Sequence, residues 1–263
     1  MLPLSMGESI MSLHWRGKRN SYGFLILGFF AVLLAPISYF MFPINLMGSV
    51  PDWLGATMSY VSHTAAGIGG LGTLLVILIW SFWRSGYTPL ERINFMLQLG
   101  VLLALALILK TGIKELTQSP RPFTQTMTQA LVLPEPSHFY KLDEAQKDLA
   151  LKRMERKVSE WRIMNWHGEM NYSFPSGHTV FVAICLVFFG SLLLEQKRYV
   201  SADILLIWAL LVAYSRLWLG MHRPEDLFGA IALVAFIYWC VPKHYPVEHP
   251  KLQPIWRMLR IQS

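Results

Sequence analysis

Residues 99–109 read Leu-Gly-Val-Leu-Leu-Ala-Leu-Ala-Leu-Ile-Leu, an unbroken apolar run inside a longer apolar stretch, 93–113. The run does not alternate polar with apolar, so it does not describe a strand of a membrane barrel. About 20 such residues wound as a helix cross the roughly 30 Å hydrocarbon layer and satisfy their own backbone where lipid offers no partner. Working outward, five more stretches have the same character: 22–41, 62–83, 177–194, 202–220 and 227–241. Charges, prolines or aromatic residues bound each of them. The expected fold is therefore all-α: one polytopic membrane domain over residues 1–263 with six transmembrane helices.

Composition agrees. The chain has 263 residues, 54% of them hydrophobic and only 15% charged, which leaves too little polar material to wrap a water-soluble globule. A formal net charge of +7 bears on membrane topology here, and no nucleic-acid partner is expected. Lys and Arg cluster before the first stretch (Arg16, Lys18, Arg19), between the second and third (Arg84, Arg92), between the fourth and fifth (Lys197, Arg198) and in the tail (Lys243, Lys251, Arg257, Arg260). The connection 42–61 has none. The positive-inside bias then puts both termini in the cytoplasm and the first, third and fifth connections on the opposite face. The first span is expected to be retained, since no small-residue cleavage site follows it. Cys185 and Cys240 lie in apolar runs, where thiols act as small hydrophobes.

The third connection, 114–175, is far longer than neighbouring helices need. Within 143–166, Leu149, Met154, Val158 and Trp161 recur at near-helical spacing among charges. This segment is expected to form an amphipathic helix, lying along the headgroups or simply solvated.

Three polar clusters stand at span ends, where charge calls for an explanation. Lys114 precedes Arg121-Pro122 after the third span; Pro175-Ser176-Gly177-His178 opens the fourth; Ser215-Arg216, His222 and Asp226 bridge the fifth and sixth. Parity of the spans puts all three on the non-cytoplasmic face. Three cations, two histidines and a single carboxylate, with no second acidic residue or cysteine nearby, describe a site built for an anion. They make a poor metal site, since hard cations want several carboxylates and zinc a richer His/Cys set. Pro175 suits a first helical position and Gly177 allows close approach to helix-start amides, which bind phosphate-like oxygens. The same string also reads as a plain capped helix start. Asp226 can accept a ring N–H of His222 and leave the other nitrogen free as nucleophile or base. That pair also reads as a structural hydrogen bond, and Arg216 alone as a snorkelling anchor.

Taken together, the three clusters resemble, in order and spacing, the tripartite signature of the type 2 phosphatidic acid phosphatase superfamily. The resemblance covers 110–229; the first two spans match in hydropathy alone. It implies a metal-independent, cofactor-free enzyme in which His222 attacks phosphorus to form a phosphohistidine, Asp226 orients it, and His178 protonates the leaving group. Lys114, Arg121, Ser176, Gly177 and Arg216 would hold the phosphoryl oxygens. Phosphoryl transfer asks mainly for such positioning and charge stabilisation, and fixed cations can stand where magnesium acts elsewhere.

The implied substrate is a membrane lipid phosphate, phosphatidylglycerophosphate first, with phosphatidate, lysophosphatidate and diacylglycerol pyrophosphate beside it. The implied place is a bacterial inner membrane with the site on the periplasmic face and no obligate protein partner. Two alternatives stay open: an undecaprenyl pyrophosphate phosphatase, and an anionic-lipid transporter or flippase in which the basic cluster only binds. His63, His138 and His167 read as interface or structural histidines, and His14, His244 and His249 as solvent-facing. Gly67, Gly69, Gly70 and Gly72 read as close helix packing. The basic stretch 152–157 reads as a solvated helix face, or one attracted to anionic lipid.

Overall fold

A helix that is apolar around its whole circumference has no face to offer water and belongs in the middle of a bundle. Gly177–Glu195 is such a helix. Val180 and the run Val182 to Phe189 are buried, and residues Leu186–Gly190 wind with wider π turns. The computed structural model describes residues 5–83 and 85–246, without the side chains of 5–18 and 20. Arg84, His249, Lys251, Arg257 and Arg260 lie outside the described residues, as do the side chains of His14, Arg16 and Lys18.

The helices are α1 (Ser5–Met41), α2 (Asp52–His63), α3 (Gly67–Phe82), α4 (Pro89–Thr117), α5 (Pro122–Gln129), α6 (Glu144–Lys152), α7 (Glu160–Gly168), α8 (Gly177–Glu195), α9 (Tyr199–Trp218) and α10 (Pro224–Cys240), with a 3-10 turn at Pro136–Lys141. No strand forms among the described residues. Helices α1, α4, α9 and α10 surround α8. Their outward faces carry exposed apolar side chains such as Phe29 and Val32 on α1, Leu107 and Ile108 on α4, and Ile204 and Ile207 on α9. A bilayer covers that kind of surface and water does not.

Among the described residues, four segments are long and apolar enough to cross a membrane: Ser21–Met41, Pro89–Gln129, Gly177–Glu195 and Tyr199–Trp218. They take up the expected spans 22–41, 93–113, 177–194 and 202–220. The expected span 62–83 instead holds the end of α2, a turn and α3, and the two helices are bent by 68°. The break has a local cause. Gly67 sits at φ +52° and turns the chain, while Gly69 and Gly70 lie against the backbone of His63 and Ala65 in that turn; a Cβ on Gly67 or Gly72 would meet nothing within 4 Å, so the expected close helix packing is not what these two glycines serve. The expected span 227–241 is α10, which has 17 residues and is about 25 Å long at 1.5 Å per residue, short of the hydrocarbon thickness. Among the described residues the count by length and composition is thus four, or five if the bent pair crosses as one, which does not confirm the expected six.

The long connection is a folded lobe. The expected helix over 143–166 divides into α6 and α7, joined by a turn in which Gly48 N–H donates to the Lys157 carbonyl at 2.8 Å. Met154 and Val158 point into a core of their own with Phe123, Met127, Phe139, Leu151 and Trp166, while Leu149 stays exposed. Phe123 stacks on Trp166 with centroids 5.0 Å apart. The apolar stripe is therefore spent on protein packing. Helix α7 then grips the end of α9: Trp166 Nε1 donates to the Leu219 carbonyl at 2.7 Å and Arg162 Nε to the Trp218 carbonyl at 3.2 Å.

Candidate active site

Each cluster is set by a chain reversal next to a helix end. Helix α4 stops at Gln118, in the left-handed region at φ 44°, and Arg121 follows at the start of α5, where Pro122 takes the first helical position. Phe123 N–H donates to the Gly220 carbonyl at 3.1 Å, which fastens this start to the turn between α9 and α10. In that turn Gly220 adopts φ +70°, and a Cβ there would run into Leu46. The turn folds the chain back so that Met221 and His222 N–H both donate to the Arg216 carbonyl, at 3.1 and 3.2 Å. Ser176 caps α8, accepting from Thr179 N–H at 3.3 Å and from its hydroxyl at 3.0 Å. Its own N–H donates to the Asp226 carbonyl at 3.1 Å. The three clusters are thereby tied backbone to backbone.

Seven of the eight expected site residues, Lys114, Arg121, Ser176, His178, Arg216, His222 and Asp226, are buried together at this junction. The eighth, Gly177, is half-buried; a Cβ on it would come 3.2 Å from Lys110 Nζ.

Arg121 uses its whole fork. Nε donates to the Asn171 carbonyl at 2.7 Å, Nη2 to Glu169 Oε2 at 3.0 Å and to Asn171 Oδ1 at 2.6 Å, and Nη1 to the Met221 carbonyl at 3.1 Å. Nη1 also lies 3.2 Å from His222 Nε2. A guanidinium only donates, so Nε2 presents its lone pair and the ring proton is on Nδ1. Nδ1 in turn faces Asp226 Oδ2 at 3.2 Å. Burial, then the charges of Arg121, Arg216 and Lys114, hold the His222 pKa well below the ordinary imidazole value. The contacts and the charge environment agree on a neutral ring whose unprotonated Nε2 turns its lone pair toward Arg121.

The reading of a single carboxylate is corrected here. Glu169, just past the end of α7, places Oε1 2.7 Å from Arg216 Nη2 and 3.4 Å from His178 Nδ1, and Oε2 3.0 Å from Arg121 Nη2. One carboxylate thus touches a residue of each cluster. Burial opposes its charge, yet Arg216, His178 and Arg121 together hold its pKa well below the usual carboxylate range. Nothing in its spacing marks it; only its place shortly before Pro175-Ser176-Gly177-His178 hints at the site. Ser173 is a second residue that sequence reading missed: its hydroxyl donates to Asp226 Oδ2 and lies 3.3 Å from His222 Nδ1.

Two expected contacts have other partners in this state. Lys114 Nζ donates to the carbonyls of Tyr172 and Ser173, and Ser176 caps its own helix. Arg216 is divided between Ser62 Oγ, at 2.6 Å from Nη1, and Glu169, and its Nε has no partner. His167 pairs with Asp148 at 2.9 Å, a lobe contact away from the junction. Among the described residues no three His, Cys, Asp or Glu side chains gather as metal ligands would.

The junction brings residues of the three sequence clusters together around the Glu169 carboxylate, between two arginines and beside the His222 imidazole. Comparison with known proteins points the same way. Phosphatidylglycerophosphatase B of Escherichia coli strain K12 is 30% identical over 247 residues, which cover 88% of this chain and 93% of its own length. Phosphatidylglycerophosphatase B of Haemophilus influenzae is 33% identical over 172 residues, 62% of this chain and 70% of its own. Residues 95–247 match the PAP2 superfamily, a stretch that contains every residue of the junction except Ser62, and on these grounds the chain belongs to the PAP2 superfamily.

Proposed function

We propose that this protein is an integral-membrane lipid phosphatase that hydrolyses the phosphomonoester of phosphatidylglycerophosphate to phosphatidylglycerol and inorganic phosphate, with His222 as nucleophile. The observation that carries the proposal is the Glu169 carboxylate held between Arg121, Arg216 and His178, next to a His222 Nε2 that bears a lone pair. A substrate phosphoryl group has the charge and oxygen spacing to take the carboxylate's place.

In the proposed reaction Nε2 attacks phosphorus, a P–N bond forms, and the bond to the glycerol oxygen breaks. His178 gives that oxygen its proton. The Nδ1 proton stays directed at Asp226, which balances the positive charge that grows on the ring. The two arginines face charge developing on the equatorial oxygens. His178 then takes a proton from water, whose oxygen attacks phosphorus; the P–N bond breaks, its electron pair returns to Nε2, and phosphate leaves. No step calls for a metal ion, so activity is expected to survive chelators.

Apolar helix faces beneath the charged junction support a lipid substrate, with tails in the bilayer and headgroup at the site. The basic residues around the opposite helix ends support cytoplasmic termini, a site on the periplasmic face, and a bacterial inner membrane. The test is to label the purified protein with 32P-phosphatidylglycerophosphate and quench. Acid-labile, base-stable label that disappears in His222→Ala, together with loss of phosphate release, is expected. Release without label, or full turnover by His222→Ala, overturns the nucleophile; binding without release indicates a carrier. Running phosphatidate, lysophosphatidate, diacylglycerol pyrophosphate and undecaprenyl pyrophosphate in parallel ranks the headgroups, and a clear preference for the last replaces the proposed substrate.

A further inference from the structure

Ser173 lies outside the three clusters, yet its side chain is fully buried against both members of the His222–Asp226 pair. Its backbone is held from several sides. Its N–H donates to the Ser119 carbonyl at 2.8 Å, and its carbonyl accepts from Lys114 Nζ at 3.4 Å. The two preceding carbonyls accept from Lys114 and from Arg121 Nε. The cations of the first cluster therefore fix the segment that presents this hydroxyl.

A hydroxyl has one proton to give. Because Arg121 donates to His222 Nε2, Nδ1 already carries the ring proton, and the Ser173 proton has only Asp226 Oδ2 as acceptor. That oxygen also accepts from Arg223 N–H at 2.9 Å and faces His222 Nδ1 at 3.2 Å. The other oxygen, Oδ1, is buried without any partner. Three donors converge on one oxygen of a carboxylate whose two oxygens are chemically equivalent. They select which one faces the imidazole.

We propose that Ser173 is a positioning residue for phosphoryl transfer: its hydroxyl fixes the Asp226 carboxylate so that Oδ2 accepts the hydrogen bond from Nδ1–H, which keeps the proton on Nδ1 and leaves Nε2 unprotonated for attack on phosphorus. The proposal rests on His222 being the nucleophile. Ser173 lies on the Nδ1 side of the ring, away from the reacting nitrogen, and acts through Asp226. Without its hydroxyl the carboxylate keeps only the Arg223 N–H and the imidazole itself to set its rotation. Its alignment with the cationic phosphoimidazole is then no longer prepaid.

The test uses full-length protein in detergent with labelled phosphatidylglycerophosphate, reading the single-turnover rate of phosphoenzyme formation, kcat and KM. Ser173→Ala is expected to slow phosphoenzyme formation about tenfold or more, the loss of one charge-assisted hydrogen bond, with KM within about threefold of wild type. In an Asp226→Asn background the same change is expected to alter the residual rate by less than about twofold, since coupled residues do not add. Ser173→Thr keeps the donor and is expected to retain most of the rate, whereas Ser173→Val, of the same shape, loses it.

A wild-type rate in Ser173→Ala, an equal loss in both backgrounds, or equal losses for Thr and Val overturns the proposal. These outcomes are distinct from failure of the nucleophile, which appears as wild-type protein that turns over without acid-labile label or as an active His222→Ala.

Discussion

Replacing Glu169 by Gln is expected to strengthen phosphate binding while weakening the empty protein. The change keeps the shape and one acceptor oxygen but removes the charge that Arg121 and Arg216 share at 3.0 and 2.7 Å. On the proposed reading an incoming phosphate displaces both of these bonds before making its own. A hydrogen bond between charged groups is worth about 1.5–3 kcal/mol net. The carboxylate side chain is 29% exposed, so the lower part of that range applies, and solvent screening reduces it further. A gain of about 1.4 kcal/mol for the incoming anion corresponds to tenfold. The inhibition constant of inorganic phosphate against phosphatidylglycerophosphate hydrolysis is therefore expected to fall about tenfold in Glu169→Gln. Meanwhile both guanidinium groups, buried to within 1% of their surface, lose their counter-ion, and breaking a buried pair is strongly destabilising. The melting temperature without phosphate should drop, and saturating phosphate should close most of the gap, because a ligand that binds only the folded state stabilises it. An unchanged or raised inhibition constant together with lower stability would show that Glu169 is structural and does not compete with the phosphoryl group.

Two further outcomes follow from the same geometry. The folded-state pKa of Glu169 is depressed, so its contribution to stability is present above its unfolded value of about 4.3 and is lost as pH falls through the folded value. The melting-temperature difference between wild type and Glu169→Gln is thus expected to hold from pH 8 to about 5 and to narrow only below about 4; narrowing already near pH 6 would contradict the depressed value. Gly220→Ala puts a Cβ on a backbone at φ +70° and against Leu46, a strain of about 1–3 kcal/mol. It is expected to lower the melting temperature and to slow phosphoenzyme formation, because the turn carries His222; an unchanged rate would separate that turn from the chemistry.

The parts legible in the sequence are those that repeat a physical rule locally. Helix α8 is buried because residues 180–193 offer no polar face, and the helix starts at Pro122, Ser176 and Pro224 are written in prolines and a capping serine. The bend between α2 and α3 was hidden because hydropathy across 62–83 is continuous, and only the conformation of Gly67 interrupts it. The lobe was half legible. Met154 and Val158 are on the apolar side as their spacing suggested, but their partners, Phe123 and Trp166 among them, come from separate helices brought together by tertiary packing. Glu169 belongs to that same category: α7 grips the turn at Trp218 and Leu219 through Arg162 and Trp166, and the grip delivers the carboxylate.

Glu169 can nevertheless be argued for in hindsight from charge alone. Lys114, Arg121 and Arg216 are all at least nine-tenths buried, and Asp226, spent on His222, Ser173 and Arg223, neutralises at most one of them. Buried cations without partners are costly enough that such a site would not persist empty. Such buried cations need an anion beside them, or a surround of carbonyl oxygens. This junction supplies both: Lys114 and half of the Arg121 fork rest on the carbonyls of residues 171–173 and of Met221, and the remaining positive charge rests on Glu169. Two buried arginines converging on one point therefore call for a resident acidic residue as a matter of electrostatics. The long connection leading to Pro175 supplies that residue, because its last stretch, from Glu169 to Ser173, touches residues of all three clusters.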